Sequence, residues 1–399
     1  MNILLIAPHP FYQERGTPIA VDLLVRTLAD LGHRVDILTF PEGETRDYGP
    51  RVRLFRIDAP PGCRNIRPGF SLKKLRCDLR LLPAARRLCR ENHYDRIHAV
   101  EEAAFVARRL SRETGIPYIF DMDSSMPIQI ADKIPLARPF RPLMRAIERP
   151  AIRDAEAVVP VCDAIADLAR AAGAKHVEIL RDISLLPTDV PPDPSRGFRA
   201  GPPPITGTPL LYVGNLETYQ GIDLLLDAFV LAAPDAPDAA LVIVGGRPDD
   251  LARYRARAAA LPGDLPARIH FLGPRPVADM PYLFRDADIL VSPRTQGNNT
   301  PMKIYSYLDS SRPILATDLP THTQVLTSDV ALLAPPSPRP FADAMLRLFR
   351  DPTLRTTLAA SAKSLATARH TLPAYRATLA RLYPPAPALR AERQATSDK

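Results

Sequence analysis

The chain has 399 residues, no tryptophan, and only four cysteines, Cys63, Cys77, Cys89 and Cys162. No two cysteines stand in C-x-x-C spacing, which argues against a structural zinc site or a paired redox motif; disulfides are not expected either. No run of 18 or more apolar residues occurs, so no membrane-spanning helix is expected. Met1 leads straight into Asn2-Ile3-Leu4-Leu5-Ile6-Ala7, which reads as a strand and lacks the charged start and long apolar core of a signal peptide. The expectation is a cytoplasmic protein, with peripheral attachment to the inner face of the plasma membrane left open. G-x-G-x-x-G is missing, so the dinucleotide fingerprint is absent. Aromatics make up 6%, and no finger, basic zipper or aromatic RNA-reading motif occurs, which argues against nucleic acid.

What is present is basic charge and alternation. Net charge is +8, and arginine supplies most of the positive side. That balance suits acidic lipid or phosphorylated substrate without choosing between them. The length exceeds one ordinary core, so two domains are expected. Asn2–Pro8, Arg34–Phe40, Arg51–Ile57, Arg96–Val100, Tyr118–Met122 and Ala157–Val161 read as strands, with a helix over Ile19–Gly32, and Val177–Leu180 is a further strand candidate. A second alternation follows from Pro209–Gly214 through Ala240–Gly245, Arg268–Leu272, Asp288–Ser292, Pro313–Thr317 and Val330–Leu333. Strands alternating with helices predict parallel, doubly wound sheets. The expected organisation is an N-terminal domain over 1–186, a Pro-rich linker over 187–208, and a C-terminal domain over 209–365. A helix over 366–383 is expected to pack back toward the N-terminal domain, with a tail over 384–399. In such α/β folds ligands bind beyond the carboxyl ends of the strands, and the cleft between two facing domains is the default site.

Four constellations carry chemistry. The strongest is Gly297-Asn298-Asn299-Thr300-Pro301-Met302-Lys303-Ile304-Tyr305-Ser306, between two strand patterns. Thr300 suits a helix N-cap and Pro301 the first helical position. Lys303 then falls in the first turn, where the helix dipole disfavours a cation; an anion bound there would resolve the conflict. The competing reading is a solvated lysine on an ordinary connection. The second constellation is the long loop after the first strand, with Arg15-Gly16-Thr17-Pro18-Ile19 before a helix. There Thr17 can cap, Pro18 sits at the first helical position, and Gly16 admits a ligand to the backbone. The third is Asp121-Met122-Asp123-Ser124 at a strand end, two carboxylates spaced to share one side of a strand. A turn or helix cap made by Asp123 and Ser124 is the alternative. His98 and Glu101-Glu102 lie at another strand end. The fourth is the loop Gly214-Asn215 to Gln220-Gly221, which feeds a helix with the geometry for backbone contact with phosphate.

Basic residues crowd two segments. Arg64, Arg67, Lys73, Lys74, Arg76, Arg80, Arg86, Arg87 and Arg90 interleave with Leu72, Leu75, Leu79, Leu82 and Leu88; Arg138, Arg141, Arg145, Arg149 and Arg153 recur at helical spacing. A basic helix with an apolar face suits an anionic bilayer surface; a solvated face packed through its leucines is the alternative.

Together, the Arg15-Gly16-Thr17-Pro18-Ile19 loop, the Tyr212-Val213-Gly214 strand end and the block from Asp286 to Asp318 resemble glycosyltransferase family 4. These are retaining, metal-independent sugar transferases of GT-B fold. The resemblance covers nearly the whole chain and implies two doubly wound Rossmann-like domains facing a cleft. It implies transfer of a sugar from a nucleotide-sugar donor to a hydroxyl of a lipid-linked or cell-surface glycan precursor, with no cofactor and no metal. It places Lys303, Arg294 and Asp123 as catalytic candidates. Gly214, Asn215, Gln220, Asn298, Asn299, Thr300, Ser306 and Gln324 fall on the donor side. Gly16, Thr17, His98, Glu102, Asp121 and Ser124 fall on the acceptor side. The chain departs from the family where Asn215 and Gln220 replace an Arg and a Lys, and where Asn298 and Ser306 replace a Glu-x7-Glu pair; Asp123 stands for the usual strand-end His. These departures keep two rivals in view, an inactive GT-B-shaped scaffold subunit and a sugar-nucleotide epimerase.

Overall fold

The computed structural model describes residues 1–66, 71–201 and 204–384. Arg67 of the basic segment and residues 385–399 of the expected tail lie outside the described residues. The chain forms two compact units. Unit 1 comprises Met1–Val161, Ile165–Leu180 and the segment from Arg376 onward; unit 2 comprises Cys162–Ala164 and Arg181–Tyr375.

Unit 1 is built on β1 (Asn2–Ala7), β2 (Arg34–Thr39), β3 (Val52–Arg56), β4 (Arg96–Val100), β5 (Tyr118–Met122) and β6 (Ala157–Pro160), with α1 (Gly16–Asp30), α2 (Leu72–Glu91), α3 (Ala103–Thr114), α4 (Met126–Lys133), α5 (Arg141–Asp154) and α6 (Asp163–Ala172). Its strands are all parallel, in the order β3-β2-β1-β4-β5-β6. Ile3, Leu4, Leu5 and Ile6 are fully buried in sequence, as a strand covered by helices on both faces requires. In α1, Val21, Leu24, Val25 and Leu28 form the buried stripe, and Gly32 turns the chain away at φ +90°. The Val177–Leu180 candidate runs beside β6, yet it makes one bridge, Val177 to Val158, rather than a ladder.

Unit 2 repeats the plan with β7 (Thr208–Val213), β8 (Ala239–Val244), β9 (Ile269–Gly273), β10 (Ile289–Ser292), β11 (Ile314–Thr317) and β12 (Leu332–Ala334). Its helices are α7 (Ile222–Ala232), α8 (Pro248–Ala259), α9 (Leu265–Arg268), α10 (Met280–Asp286), α11 (Lys303–Asp309), α12 (Pro320–Thr323), α13 (Pro338–Arg350) and α14 (Pro352–Arg369). The order β12-β11-β10-β7-β8-β9 is the same doubly wound pattern as in unit 1. The helix expected over 366–383 is broken after Arg369, and α15 (Leu372–Leu382) begins beyond the break.

The described part of the Pro-rich segment is strapped to unit 2. Phe198 and Ile205 are buried in its core, and Arg196 and Arg199 pair with Asp279 and Asp288 at 2.6 and 2.8 Å. The amides of Phe198 and Arg199 both donate to Asp286. A Cβ at Gly197 would collide with that same carboxylate, so glycine is needed for the close approach. Among its described residues the segment forms a short 3-10 turn over Pro194–Arg196, and its proline content did not signal that two apolar side chains would anchor it. Among the described residues no helix is long and apolar enough to cross a membrane.

Candidate active site

In a doubly wound sheet the strand order reverses between the first and fourth strands, and the diverging loops leave a crevice at their carboxyl ends. In unit 2 this point lies between β7 and β10, which pair in parallel. The segments leaving those strands carry Gly214 and Asn215 on one side and Arg294, Asn298, Asn299, Thr300 and Lys303 on the other.

Lys303 is the centre of this crevice. Its ammonium donates to the Val213 carbonyl at 3.1 Å and lies 4.0 Å from the centre of the Tyr212 ring. A Cβ at Gly214 would stand 3.5 Å from Lys303 Nζ and 2.9 Å from the Tyr212 hydroxyl. Glycine at 214, at φ +150°, thus permits the close approach of the Tyr212 hydroxyl and the ammonium to the strand end. Burial, and then the charge of Arg294, hold the lysine pKa well below its ordinary value. Among the described residues neither Lys303 nor Arg294 has a carboxylate ion partner. Two cations brought together without a counter-charge carry a desolvation cost that an anion would relieve.

Arg294 is tied to the neighbouring loop. It is 7% exposed, and its Nη1 donates to the Asn299 carbonyl and to Thr321 Oγ1, both at 2.9 Å, and to Asn299 Oδ1 at 3.3 Å. Its guanidinium lies 5.0 Å from the Tyr219 ring centre, and its Nε has no hydrogen-bond partner among the described residues. Arg294 pins the 297–300 loop while adding positive potential behind Lys303. Gln324 pins the same loop, donating to the carbonyls of Asn298 and Pro320 at 2.8 Å and accepting from the Ala164 amide at 2.8 Å. His322, fully buried, bridges Ser292 and Thr317, and burial pushes its pKa down to about 3, so it serves as a neutral brace.

The expected cap is not formed. α11 begins at Lys303, and Met302 occupies the cap position without a side-chain bond. Amides of Ile304 and Tyr305 reach back three residues, to Pro301 and Met302, so a tight turn precedes the helix and displaces its start past the Thr-Pro signal. Thr300 is 2% exposed, and among the described residues neither its hydroxyl nor the side-chain carbonyl oxygen of the buried Gln220 has a hydrogen-bond partner. Ser306 is buried and accepts from the Leu185 amide at 3.2 Å, which ties it to the start of the strapped segment. Asn215 Oδ1 accepts from the Glu217 amide at 3.2 Å, and its carbonyl accepts from the Tyr212 hydroxyl at 2.6 Å. Asn215 thus shapes its own turn.

In unit 1 the reversal lies between β1 and β4. α1 starts at Gly16 with Arg15 before it, and Thr17 does not cap. Its hydroxyl instead donates to Asp123 at 3.1 Å, a bond between the β1 and β5 ends that takes precedence over the cap. Pro18 is accordingly the third helical residue rather than the first. Open space surrounds the position a Gly16 Cβ would take. Ser124 donates to Glu101, at 2.9 Å to the nearer oxygen, so neither Ser124 nor Asp123 caps α4. Glu148 of α5 fills that role, accepting from the Met126 amide at 2.8 Å and from Ser125 Oγ at 2.9 Å. His98 is fully buried and does not line a surface; it stands between Asp121 and Tyr383. Glu102 pairs with Lys74, which turns inward from the basic segment toward Asp78 and Glu102.

Glu101, marked in sequence only by its place at a strand end, has an unusual conformation. It adopts φ +52°, unusual for a residue with a side chain, and its carboxyl is pushed up to about 7, chiefly by burial. No local pattern marks such a conformation. Lys74 looked like one more solvated cation, and only its i,i+4 spacing from Asp78 hinted at an inward role.

Comparisons with known proteins agree with this geometry. Residues 15–181 match the glycosyl transferase 4-like domain, and residues 207–351 match glycosyl transferases group 1. The chain is 25% identical over 291 residues to an alpha-D-kanosaminyltransferase of Streptomyces kanamyceticus, covering 70% of this chain and 74% of that protein. It is 29% identical over 200 residues to a phosphatidyl-myo-inositol mannosyltransferase of Mycobacterium leprae, covering 48% of this chain and 50% of that one. Among solved structures, Anabaena HepE in complex with UDP-glucose shares the fold, with a TM-score of 0.75 at 18% identity, covering 96% of this chain and 99% of that one. Two doubly wound units in series, each matched by its own glycosyltransferase domain, place this chain in the family 4-type glycosyltransferases of GT-B fold, enzymes that use nucleotide-sugar donors.

Proposed function

We propose that the enzyme transfers a hexosyl group from a nucleotide sugar to a hydroxyl of a lipid-linked or cell-surface glycan precursor, with retention of anomeric configuration, at the cytoplasmic face of an anionic membrane. The single observation that carries the donor side is the ammonium of Lys303, which lies at the end of β7 beside Gly214 with no carboxylate partner among the described residues. The donor diphosphate in this reading binds against that ammonium. As the bond from the anomeric carbon to the diphosphate oxygen breaks, charge grows on the leaving group, and Lys303 stabilises it with Arg294 behind. The acceptor oxygen attacks from the face that the diphosphate leaves, and its proton passes to a diphosphate oxygen. With the lysine supplying the charge, the reading calls for no metal.

Unit 1 carries the acceptor residues in this reading: Gly16, Thr17 and the carboxylates Asp121 and Asp123. A membrane-borne acceptor is favoured by two exposed patches of mixed chemistry. Leu72 and Leu79 are 71% and 68% exposed beside Lys73, Arg76 and Arg80 on α2. Leu136, Phe140, Leu143 and Ile147 are also exposed, next to Arg138 and Arg145, at the start of α5 and just before it. Aliphatic side chains flanked by arginine suit insertion among anionic headgroups. The likeness to a phosphatidyl-myo-inositol mannosyltransferase points the same way.

The test is a panel of UDP-glucose, UDP-galactose, UDP-N-acetylglucosamine and GDP-mannose, each assayed by calorimetry and by transfer to phosphatidylinositol or polyprenyl phosphate in vesicles. Binding of at least one donor with transfer is expected. Absence of binding by every nucleotide would favour the scaffold reading, for which the non-ionic Asn215, Gln220, Asn298 and Ser306 are the motive. Vesicle sedimentation is expected to be strong with anionic lipid at low salt and to weaken as salt rises past ~0.1 M, where the screening length shrinks to about 10 Å. Equal sedimentation with neutral vesicles would remove the electrostatic part.

A further inference from the structure

The last described residues of the chain return to unit 1, where Tyr383 is fully buried. Its hydroxyl lies 2.6 Å from His98 Nδ1, and His98 Nε2 lies 3.1 Å from Asp121 Oδ2. His98 is fully buried, whereas the Asp121 side chain keeps 15% of its surface at the carboxyl end of β5. The row therefore runs from the C-terminal segment, through a histidine with no access to solvent, to a carboxylate that has some. The segment is fixed where it enters. His33 contacts the Tyr383 carbonyl at 3.2 Å, Arg96 donates to the Leu382 carbonyl and stands 5.8 Å from the Tyr383 ring centre, and Arg381 pairs with Glu178.

The direction of each bond follows from donor and acceptor chemistry. An ionised carboxylate can only accept, so Nε2 carries the proton directed at Asp121. A neutral imidazole then leaves Nδ1 its lone pair, which accepts from the Tyr383 hydroxyl. Asp123, two residues on, is held separately by Thr17, so the two carboxylates of this strand end have different supports.

We propose that Tyr383 and His98 are positioning residues, and that this buried row, fed from the C-terminal segment, fixes the rotamer and the accepting face of the Asp121 carboxylate for the acceptor hydroxyl. The role given to Asp121 rests on the acceptor side proposed above; the tautomer does not. Neither tyrosine nor histidine touches substrate. They act by removing the rotational freedom of Asp121, so the carboxylate is ordered before the acceptor arrives and no ordering cost falls on binding.

The experiment is ¹⁵N imidazole NMR of the full chain, together with transfer kinetics using the donor–acceptor pair that turns over in the panel above. In the wild type, the tautomer protonated at Nε2 is expected. Tyr383→Phe keeps the ring and its packing but removes the donor to Nδ1; the Nδ1 ¹⁵N resonance should move downfield as its lone pair loses that hydrogen bond, while Nε2 keeps its proton. The same variant is expected to lower kcat/KM for the acceptor about tenfold while leaving the donor KM within twofold. His98→Gln, whose amide can both accept from Tyr383 and donate to Asp121, should retain more of that kcat/KM than His98→Leu. A wild-type Nδ1–H tautomer, or an Nδ1 resonance unmoved by Tyr383→Phe, would overturn the row. The expected Nδ1 shift with unchanged acceptor kinetics would overturn the positioning role while leaving the donor site untouched.

Discussion

Lys303→Ala is expected to lower kcat/KM for sugar transfer by about 10²–10³, the usual loss when one preorganised charge-stabilising group is removed. The site has no substitute for it. Arg294 is committed to Asn299 and Thr321 under the Tyr219 ring, and cannot move forward without releasing the 297–300 loop. Asn215 and Gln220 carry no charge. Lys303→Met, which keeps the aliphatic stem, should show the same kinetic loss and a higher thermal midpoint in the absence of nucleotide, because it removes a desolvated cation that nothing neutralises. A second signature follows from the sign of the pKa shift. Burial and Arg294 depress the lysine pKa in the free protein, and a bound diphosphate raises it again. Nucleotide binding should therefore take up protons at alkaline pH, so the calorimetric enthalpy will depend on the buffer's ionisation heat, and this dependence should vanish in Lys303→Met. Turnover within twofold of wild type in either variant would refute the diphosphate role.

Gly245→Ala is expected to destabilise the protein by about 2–5 kcal/mol, combining overpacking with a left-handed backbone forced on a residue with a side chain. Gly245 has φ +109°, and its added Cβ would lie 2.0 Å from the Gly214 carbonyl oxygen. The obstructing atom belongs to the backbone, so no rotamer change relieves the contact. Relief requires moving the β7 end, with the Val213 carbonyl that holds Lys303. Donor affinity should fall along with stability. Urea titration and calorimetry check the two effects, and a stability change under about 0.5 kcal/mol would show that the strand ends are less closely fitted than described.

The two alternations of strand and helix were legible because buried parallel strands need unbroken apolar runs, which stand out against polar loops. Gly214 and Lys303 were legible too, since a glycine at a strand end and a cation at a helix start are local signals. The caps open to Thr300, Thr17 and Ser124 do not form. Each hydroxyl has a capping signature in sequence, yet Thr17 and Ser124 bond to carboxylates brought from distant strands, and Thr300 is turned inward by the tight turn after it. The buried bond of His98 left no trace in sequence because its partner Tyr383 lies 285 positions away. Glu101 owes its strained conformation to the strand it follows, where its own amide donates to the Asp121 carbonyl.

The return of the chain from unit 2 to unit 1 has a consequence for synthesis. Leu379, Leu382 and Tyr383 are buried in a unit whose other residues are complete by Leu180. During translation the first unit to be made is thus the last to be finished: its sheet can form early, but the pocket around Tyr383 stays unfilled until nearly the whole chain has left the ribosome. Unit 2, begun later, has all its residues by Tyr375. A fragment ending at Leu180 would carry that exposed apolar pocket permanently, so a separately expressed unit 1 needs residues 376–384 supplied as a peptide or fused by a linker.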